Sequence, residues 1–196
     1  MTTRSGRTDW TVPADVSSRG SLLSAQPFRG LGGQPVFEPD DLERFVSAVR
    51  VAVMAYSRKD GRPGQAPIWY EYRDGIFHIS TGVDSAKAHA LLRDPRVCVT
   101  IQDERPPYRG VIFDAVAEPL AAGSPSRVGS IQTRYFGRIG GARYLAMRED
   151  DGASANVEFV LRPTDVRGFD NTRLIPSATT WFLRLRQRVP LIRRYI

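Results

Sequence analysis

Between Ile76 and Val97 the chain has to change secondary structure three times, and this stretch constrains the fold more than any other. Ile76-Phe-His-Ile79 is a short apolar run that reads as a strand, and Ser80, Thr81 and Gly82 give it a polar exit. Asp84 or Ser85 can then cap a helix whose first turn carries Lys87. That helix has to stop before Pro95, because the residue preceding a proline is pushed out of the helical region. Val97 opens the next strand. A strand, a hydroxyl-rich turn, a helix N-terminus and one lysine together suit a phosphate, since free N–H groups, the positive end of the helix dipole and an ammonium group converge. A plain strand–helix connection with a surface lysine reads equally well from the residues alone.

The flanking chain is rich in short β runs. Phe37 to Val49 predicts a helix: Pro39 suits its first turn, Asp40 and Asp41 complement the dipole, and Leu42, Phe45, Val46 and Val49 recur at helical spacing. Val51 to Tyr56 is β-branched and apolar, Asp60-Gly61 marks a turn, and Ala66 to Tyr72 predicts a partner strand with Pro67 at its start or on an edge. With the turn at Asp74-Gly75 and a strand over Ile76 to Thr81, the pattern predicts a three-strand antiparallel meander. Further strands are expected over Val97 to Gln102, Arg109 to Glu118 and Asn156 to Phe169, with a loop from Asp103 to Tyr108. A helix is expected over Ser124 to Phe136, a loop over Gly137 to Gly141, and a short helix over Ala142 to Arg148. Many strands with short turns and few helices predict a mainly β antiparallel barrel or sandwich.

At 196 residues the chain reads as one domain with tails: an arm over residues 1–35, a body over 36–170, and a basic tail over 171–196. The arm has no periodicity, and is expected to be flexible or laid over a partner. No apolar run approaches membrane-spanning length, and Met1 to Gly20 has no apolar secretory core, so a cytoplasmic protein is expected. Cys98, the single cysteine, reads as a small buried hydrophobe. The net charge is +7, and Lys59 and Lys87 are the only lysines, so arginine dominates. Arginine favours planar oxyanions, which points to an acidic partner such as a phosphorylated cofactor. From Thr179 on, the tail mixes Trp181, Phe182, Leu185, Val189 and Ile192 with five arginines. It can meet nucleic acid or an anionic membrane, although docking on the body or on a second subunit is the favoured reading. No metal cluster is evident, Gly137 to Gly141 lacks the strand and spacing of a dinucleotide fingerprint, and no Ser-His-Asp order with a nucleophile elbow occurs.

The ordered set Val51-Ala-Val-Met-Ala-Tyr, Asp60-Gly-Arg-Pro, Ala66-Pro-Ile-Trp-Tyr, Ser80 to Lys87, Leu92-Arg-Asp-Pro-Arg-Val and Pro107-Tyr resembles the pyridoxamine 5'-phosphate oxidase-like split β-barrel flavoproteins. The last two segments resemble most closely the branch that uses the deazaflavin coenzyme F420. The resemblance covers about residues 37–169 and implies a mainly β, FMN-binding type split β-barrel. It implies a homodimer with cofactor sites at the subunit interface, a small-molecule substrate, and coenzyme F420 or FMN as cofactor. Lys87 matches the family's phosphate-binding lysine, Ser80 a helping hydroxyl beside Thr81, and Pro67, Ile68 and Trp69 the strand under the ring system. Ser85 stands where relatives often carry arginine, and Ala88-His89-Ala90 departs from their Lys-x-Arg-Asn-Leu pattern. The expected reaction is hydride transfer to an unknown small organic substrate. An FMN-dependent oxidase or reductase is the first alternative, and a non-catalytic flavin-binding protein the second. No protein nucleophile is needed, because the cofactor carries the chemistry. Tyr70, Tyr72 and His78 are conceivable proton donors, and Arg134, Arg138 and Arg143 either reach an acidic cofactor tail or are solvated.

Overall fold

The computed structural model describes residues 29–30, 37–150, 155–174 and 179. The strands are β1 (Arg29–Gly30), β2 (Ala52–Ser57), β3 (Pro63–Ile68), β4 (Tyr70–Arg73), β5 (Ile76–Gly82), β6 (Arg96–Gln102), β7 (Arg109–Pro119) and β8 (Asn156–Asp170). The helices are α1 (Pro39–Ser47), α2 (Ala86–Arg93) and α3 (Val128–Asp150), and a 3-10 turn spans Asn171–Leu174. The sheet order is β3-β2-β6-β7-β8-β5-β4, antiparallel throughout, with β1 added in parallel to β8. Apart from Arg29 and Gly30, the N-terminal arm lies outside the described residues, as does the basic tail from Trp181 onward.

The expected meander does not form. Ala66 to Tyr72 is not one strand but the end of β3 and the start of β4, separated by Trp69. These two strands stand at opposite ends of the sheet order, yet one residue joins them. Two residues of chain span about 7 Å at most. The sheet therefore curls until its ends meet at Trp69. The ladders show how far the strands slant in doing so. Ile68 is level, through Ala52, Ile101 and Val111, with Gly168 of β8. Tyr70 is level, through Ile79, with Phe159 of the same strand. One circuit thus climbs nine residues of β8 (168 − 159). A closed sheet needs a stagger of this kind. The result is a split β-barrel.

Alternation fills its interior. Phe77 stacks on Phe113 with ring centroids 4.4 Å apart, and Met54, Tyr70, Ile101, Phe159 and Leu161 are fully buried around them. Helix α1 closes one end with Leu42, Phe45 and Val46, and the Tyr70 hydroxyl, 2.9 Å from the Val46 carbonyl, ties that plug to β4. The helix is shorter than its hydrophobic spacing suggests. Ala48 is already extended, and Val49 is exposed.

The region after β7 also departs from expectation. Helix α3 starts at Val128, not Ser124, because Pro125 bars its preceding residue from the helical region. The expected loop from Gly137 to Gly141 shrinks to one non-helical residue, Gly137, at φ 72° and ψ 171°, a conformation essentially reserved for glycine. The second limb folds back along the first: a Cβ on Gly141 would lie 2.9 Å from the Thr133 backbone, and Gly129 faces Leu145. Gly141 is therefore a close-packing residue of a helical hairpin rather than a loop residue.

Candidate functional site

The strand–helix turn forms as its local chemistry demands. Ser85 is the N-cap of α2, and its Oγ accepts from the Ala88 N–H at 3.1 Å. Of the two residues the sequence offered as caps, Ser85 takes the role. Its Oγ also sits 3.1 Å from Thr81 Oγ1, which ties the last turn of β5 to the helix. The Ser85 N–H donates to the Gly82 carbonyl, so the turn is closed at both levels. The N–H groups of Ala86 and Lys87 keep no intrahelical partner, as in any first helical turn.

Lys87 is half-buried in this turn, and no carboxylate pairs with it among the described residues. Burial pushes its pKa down, because the ammonium loses water and gains no anion in return. Helix α2 adds no acid in its first turn. Two N–H groups at a helix N-terminus, the Thr81 hydroxyl and an ammonium without a carboxylate partner are the donor types that suit an anion.

The structure brings only some of the predicted site residues together. Thr81, Ser85 and Lys87 share the turn. Ser80 lies on the opposite face of β5, with His78, and pairs across the ladder with Glu158. Glu158 is engaged by the Arg127 N–H at 2.7 Å, at the start of α3. One step beyond the last ladder pair of β4 and β5, Tyr70 with Ile79, Trp69 comes beside Ser80. Pro67 is exposed and Ile68 buried. The Trp69 ring stacks on Tyr135 at 5.0 Å and 13°, and meets Phe136 edge-on at 4.9 Å. Its indole is therefore one wall of an aromatic cluster with the α3 hairpin, whose Tyr144 lies against Phe136.

The proposed proton donors are placed otherwise. Tyr70 and Tyr72 point into the core. Burial, with the neighbouring Tyr135, pushes the Tyr70 hydroxyl up to about 12, and it is spent on the Val46 carbonyl. His78 is buried beneath α3, and burial followed by the Arg127 charge lowers its pKa, partly offset by Glu71 and Glu158. Its burial thus favours the neutral imidazole. Arg134 caps α1 by donating to the carbonyls of Ser47 and Ala48, both at 2.8 Å, so it is a structural clasp.

Tyr135, which the sequence marks only as an apolar position of the helix expected over Ser124 to Phe136, has a further role. Its hydroxyl donates to the Arg50 carbonyl at 2.7 Å and accepts from the Tyr70 N–H at 3.2 Å. It thereby satisfies the strand break beside Trp69. The doublet Tyr135-Phe136 just before Gly137 was the available signal. Among the described residues no group of histidine, cysteine and carboxylate side chains could hold a metal ion, and no helix is long and apolar enough to cross a membrane.

Comparison with known proteins accords with this geometry. A conserved hypothetical protein from Mycobacterium tuberculosis is 27% identical, with a TM-score of 0.60 over 72% of this chain and 90% of that one. The haem storage protein HutZ from Vibrio cholerae is 18% identical, with a TM-score of 0.51 over 69% of this chain and 94% of that one, and shares the fold. A protein titled F420 reductase is a looser superposition, at 19% identity and a TM-score of 0.45 over 63% of this chain and 94% of that one. No curated protein matches the sequence. The family described as pyridoxamine 5'-phosphate oxidase matches residues 39–170, from the first residue of α1 to the last of β8, and the chain belongs to that family.

Proposed function

We propose that the chain binds a phosphorylated flavin-type cofactor, coenzyme F420 in the first instance, and works as an oxidoreductase on a small organic substrate. One observation carries this reading: Lys87 is a half-buried cation at a helix N-terminus that pairs with no carboxylate among the described residues. Such a charge is costly unless an anion arrives to complete it. A phosphate fits the donors present. Lys87 would supply charge, the N–H groups of Ala86 and Lys87 would donate, and Thr81 would contribute its hydroxyl. Ser85 holds the helix mouth in place. Pro67 to Trp69 would flank the ring system, with the aromatic cluster behind Trp69 keeping that wall rigid. When bound, a deazaflavin supplies hydride chemistry, and the protein's part is to orient it and exclude water. The same reading makes the working unit a homodimer.

Ser85 favours a second reading. It stands where relatives often offer arginine, and its hydroxyl is committed to the cap, so Lys87 is left as the charge of the turn. A non-catalytic flavin-binding protein fits that reduced set of ligands.

Fluorescence titration of the purified protein with coenzyme F420 and with FMN, beside Lys87→Ala, tests both. Binding of F420 that weakens roughly tenfold in the variant, about 1.4 kcal/mol, supports the site and the cofactor together. FMN binding in its place selects an FMN-dependent oxidase or reductase. Binding with no acceptor ever reduced selects the non-catalytic reading. If neither cofactor binds, the flavin-type reading fails.

A further inference from the structure

Tyr135, which backs Trp69, also borders a groove of about 570 Å³ between the segment 48–51 and the loop 102–107. Its size is that of a small-molecule pocket. At its base Asp103 joins two arginines. Arg50 Nε and Nη2 donate to Asp103 Oδ1 at 3.0 and 2.8 Å, and Arg50 Nη1 donates to the Phe45 carbonyl at 2.6 Å. All three nitrogens of that guanidinium are thus engaged. Arg109 differs. It reaches Asp103 Oδ2 through Nε alone, at 3.2 Å, and its two terminal amino groups meet no acceptor among the described residues.

Arg109 is nonetheless held. Asp103 fixes one edge of its guanidinium, and the Phe45 ring lies 5.2 Å below it, with Arg50 at 4.0 Å from the same ring. A guanidinium fixed at Nε presents its free pair of amino groups as a fork, which matches the two oxygens of a carboxylate. In the same groove, Val49 and Val51 are 56% and 41% exposed, and Pro107 extends that apolar lining. The lining carries Arg50, Arg105 and Arg109 against Asp103 and Glu104, so one positive charge is in excess (3 − 2). A single negative charge balances it.

We propose that this groove binds an organic monocarboxylate with a compact apolar body. The carboxylate is received by the free fork of Arg109, and the apolar body lies against Val49, Val51 and Pro107. Nothing in this assignment uses Lys87 or the cofactor, so it stands or falls apart from the proposed function.

The test is calorimetric titration of the full chain with 4-phenylbutyrate and with 4-phenylbutanol, located by amide NMR shifts. The acid is expected to bind and to shift amides around Val49, Val51 and residues 102–105, with the alcohol roughly tenfold weaker or worse. Arg109→Gln removes the preference for the acid. Val49→Asp, at an exposed position where folding is not at stake, abolishes binding of both. The proposal is overturned if the acid gives no binding up to about 10 mM, if acid and alcohol bind alike, or if the shifts gather at Ser85 to Lys87 and leave the groove untouched.

Discussion

The turn at Lys87 and the base of the groove both concentrate positive charge, and they treat it in opposite ways. In the groove, two guanidiniums grip the two oxygens of Asp103, over bonds of 2.8 to 3.2 Å, and stack on Phe45. In the turn, the half-buried Lys87 ammonium pairs with no carboxylate among the described residues. A paired charge mainly holds the chain together, because removing one partner strands the other. An unpaired charge holds nothing. It is present at a cost in stability and is free to meet a ligand. Arg109 stands between these cases, with one edge paired and the other open.

The largest expected effect lies on the paired side. Asp103→Ala leaves Arg50 and Arg109, both close to the Phe45 ring, with no counter-charge between them. Breaking a fully buried pair costs about 3–5 kcal/mol. These side chains are 18% to 35% exposed, so water takes up part of the loss. A destabilisation of roughly 2 kcal/mol is expected, or about 6 °C in Tm. Thermal unfolding checks it, and an unchanged Tm would erase the contrast between the two regions.

The next effect is the cap. Ser85→Ala should cost about 1 kcal/mol, while Ser85→Gly should cost only a few tenths, because glycine tolerates the N-cap conformation without supplying the hydroxyl. Urea denaturation separates the two. If glycine is as damaging as alanine, the Thr81 contact rather than the cap carries the turn, and the proposed phosphate site is less prebuilt than its geometry suggests.

These two predictions also mark what the sequence made legible. A cap at Asp84 or Ser85, and Pro95 as the stop of α2, are local facts decided within four residues and could be read from the sequence; the structure gives the cap to Ser85. The strands could be read because β-branched runs and Asp-Gly turns are local too. The break at Trp69 could not. Pro-Ile-Trp-Tyr-Glu-Tyr alternates as one strand should, and it is divided only because the sheet must close on itself, a constraint set by all seven strands. Gly137 to Gly141 misled for a related reason. Its composition says loop, but Gly141 is glycine because a helix from the same hairpin touches it. The pairing of Arg50 with Asp103 spans 53 positions, and that of Tyr135 with Arg50 spans 85. No spacing rule reaches that far, so the groove was invisible while the turn was not.

A smaller effect separates the sheet face under α3 from both cationic regions. Burial holds the folded pKa of His78 below the ordinary value of 6.5. The folded state therefore binds fewer protons than the unfolded one in the window below pH 6.5, and stability falls as the pH drops through it. His78→Phe should flatten that part of the stability profile, read as urea midpoints between pH 7 and pH 5. A slope that survives the substitution would assign the acid sensitivity to other groups.

The smallest effect on stability, and the sharpest test of the comparison, is at Lys87 itself. Its folded pKa is depressed by burial, so below that pKa the folded state carries a charge that the unfolded chain solvates better. Between the folded pKa and the ordinary value of 10.5 the unfolded state binds more protons, and stability rises with pH. Lys87→Met keeps the apolar stem and removes the charge. It should leave stability at pH 7 unchanged or slightly raised, within about 0.5 kcal/mol. Its advantage over the native chain should shrink as the pH climbs toward 10.5. A phosphate ligand reverses this sign, because it favours the charged lysine: its affinity should fall as the pH rises through the folded pKa, and binding just above that pKa should take up a proton. Calorimetry in two buffers of different ionisation enthalpy reads the uptake directly. If Lys87→Met instead loses stability as Asp103→Ala does, Lys87 is a paired, structural charge, and the distinction between the two regions collapses.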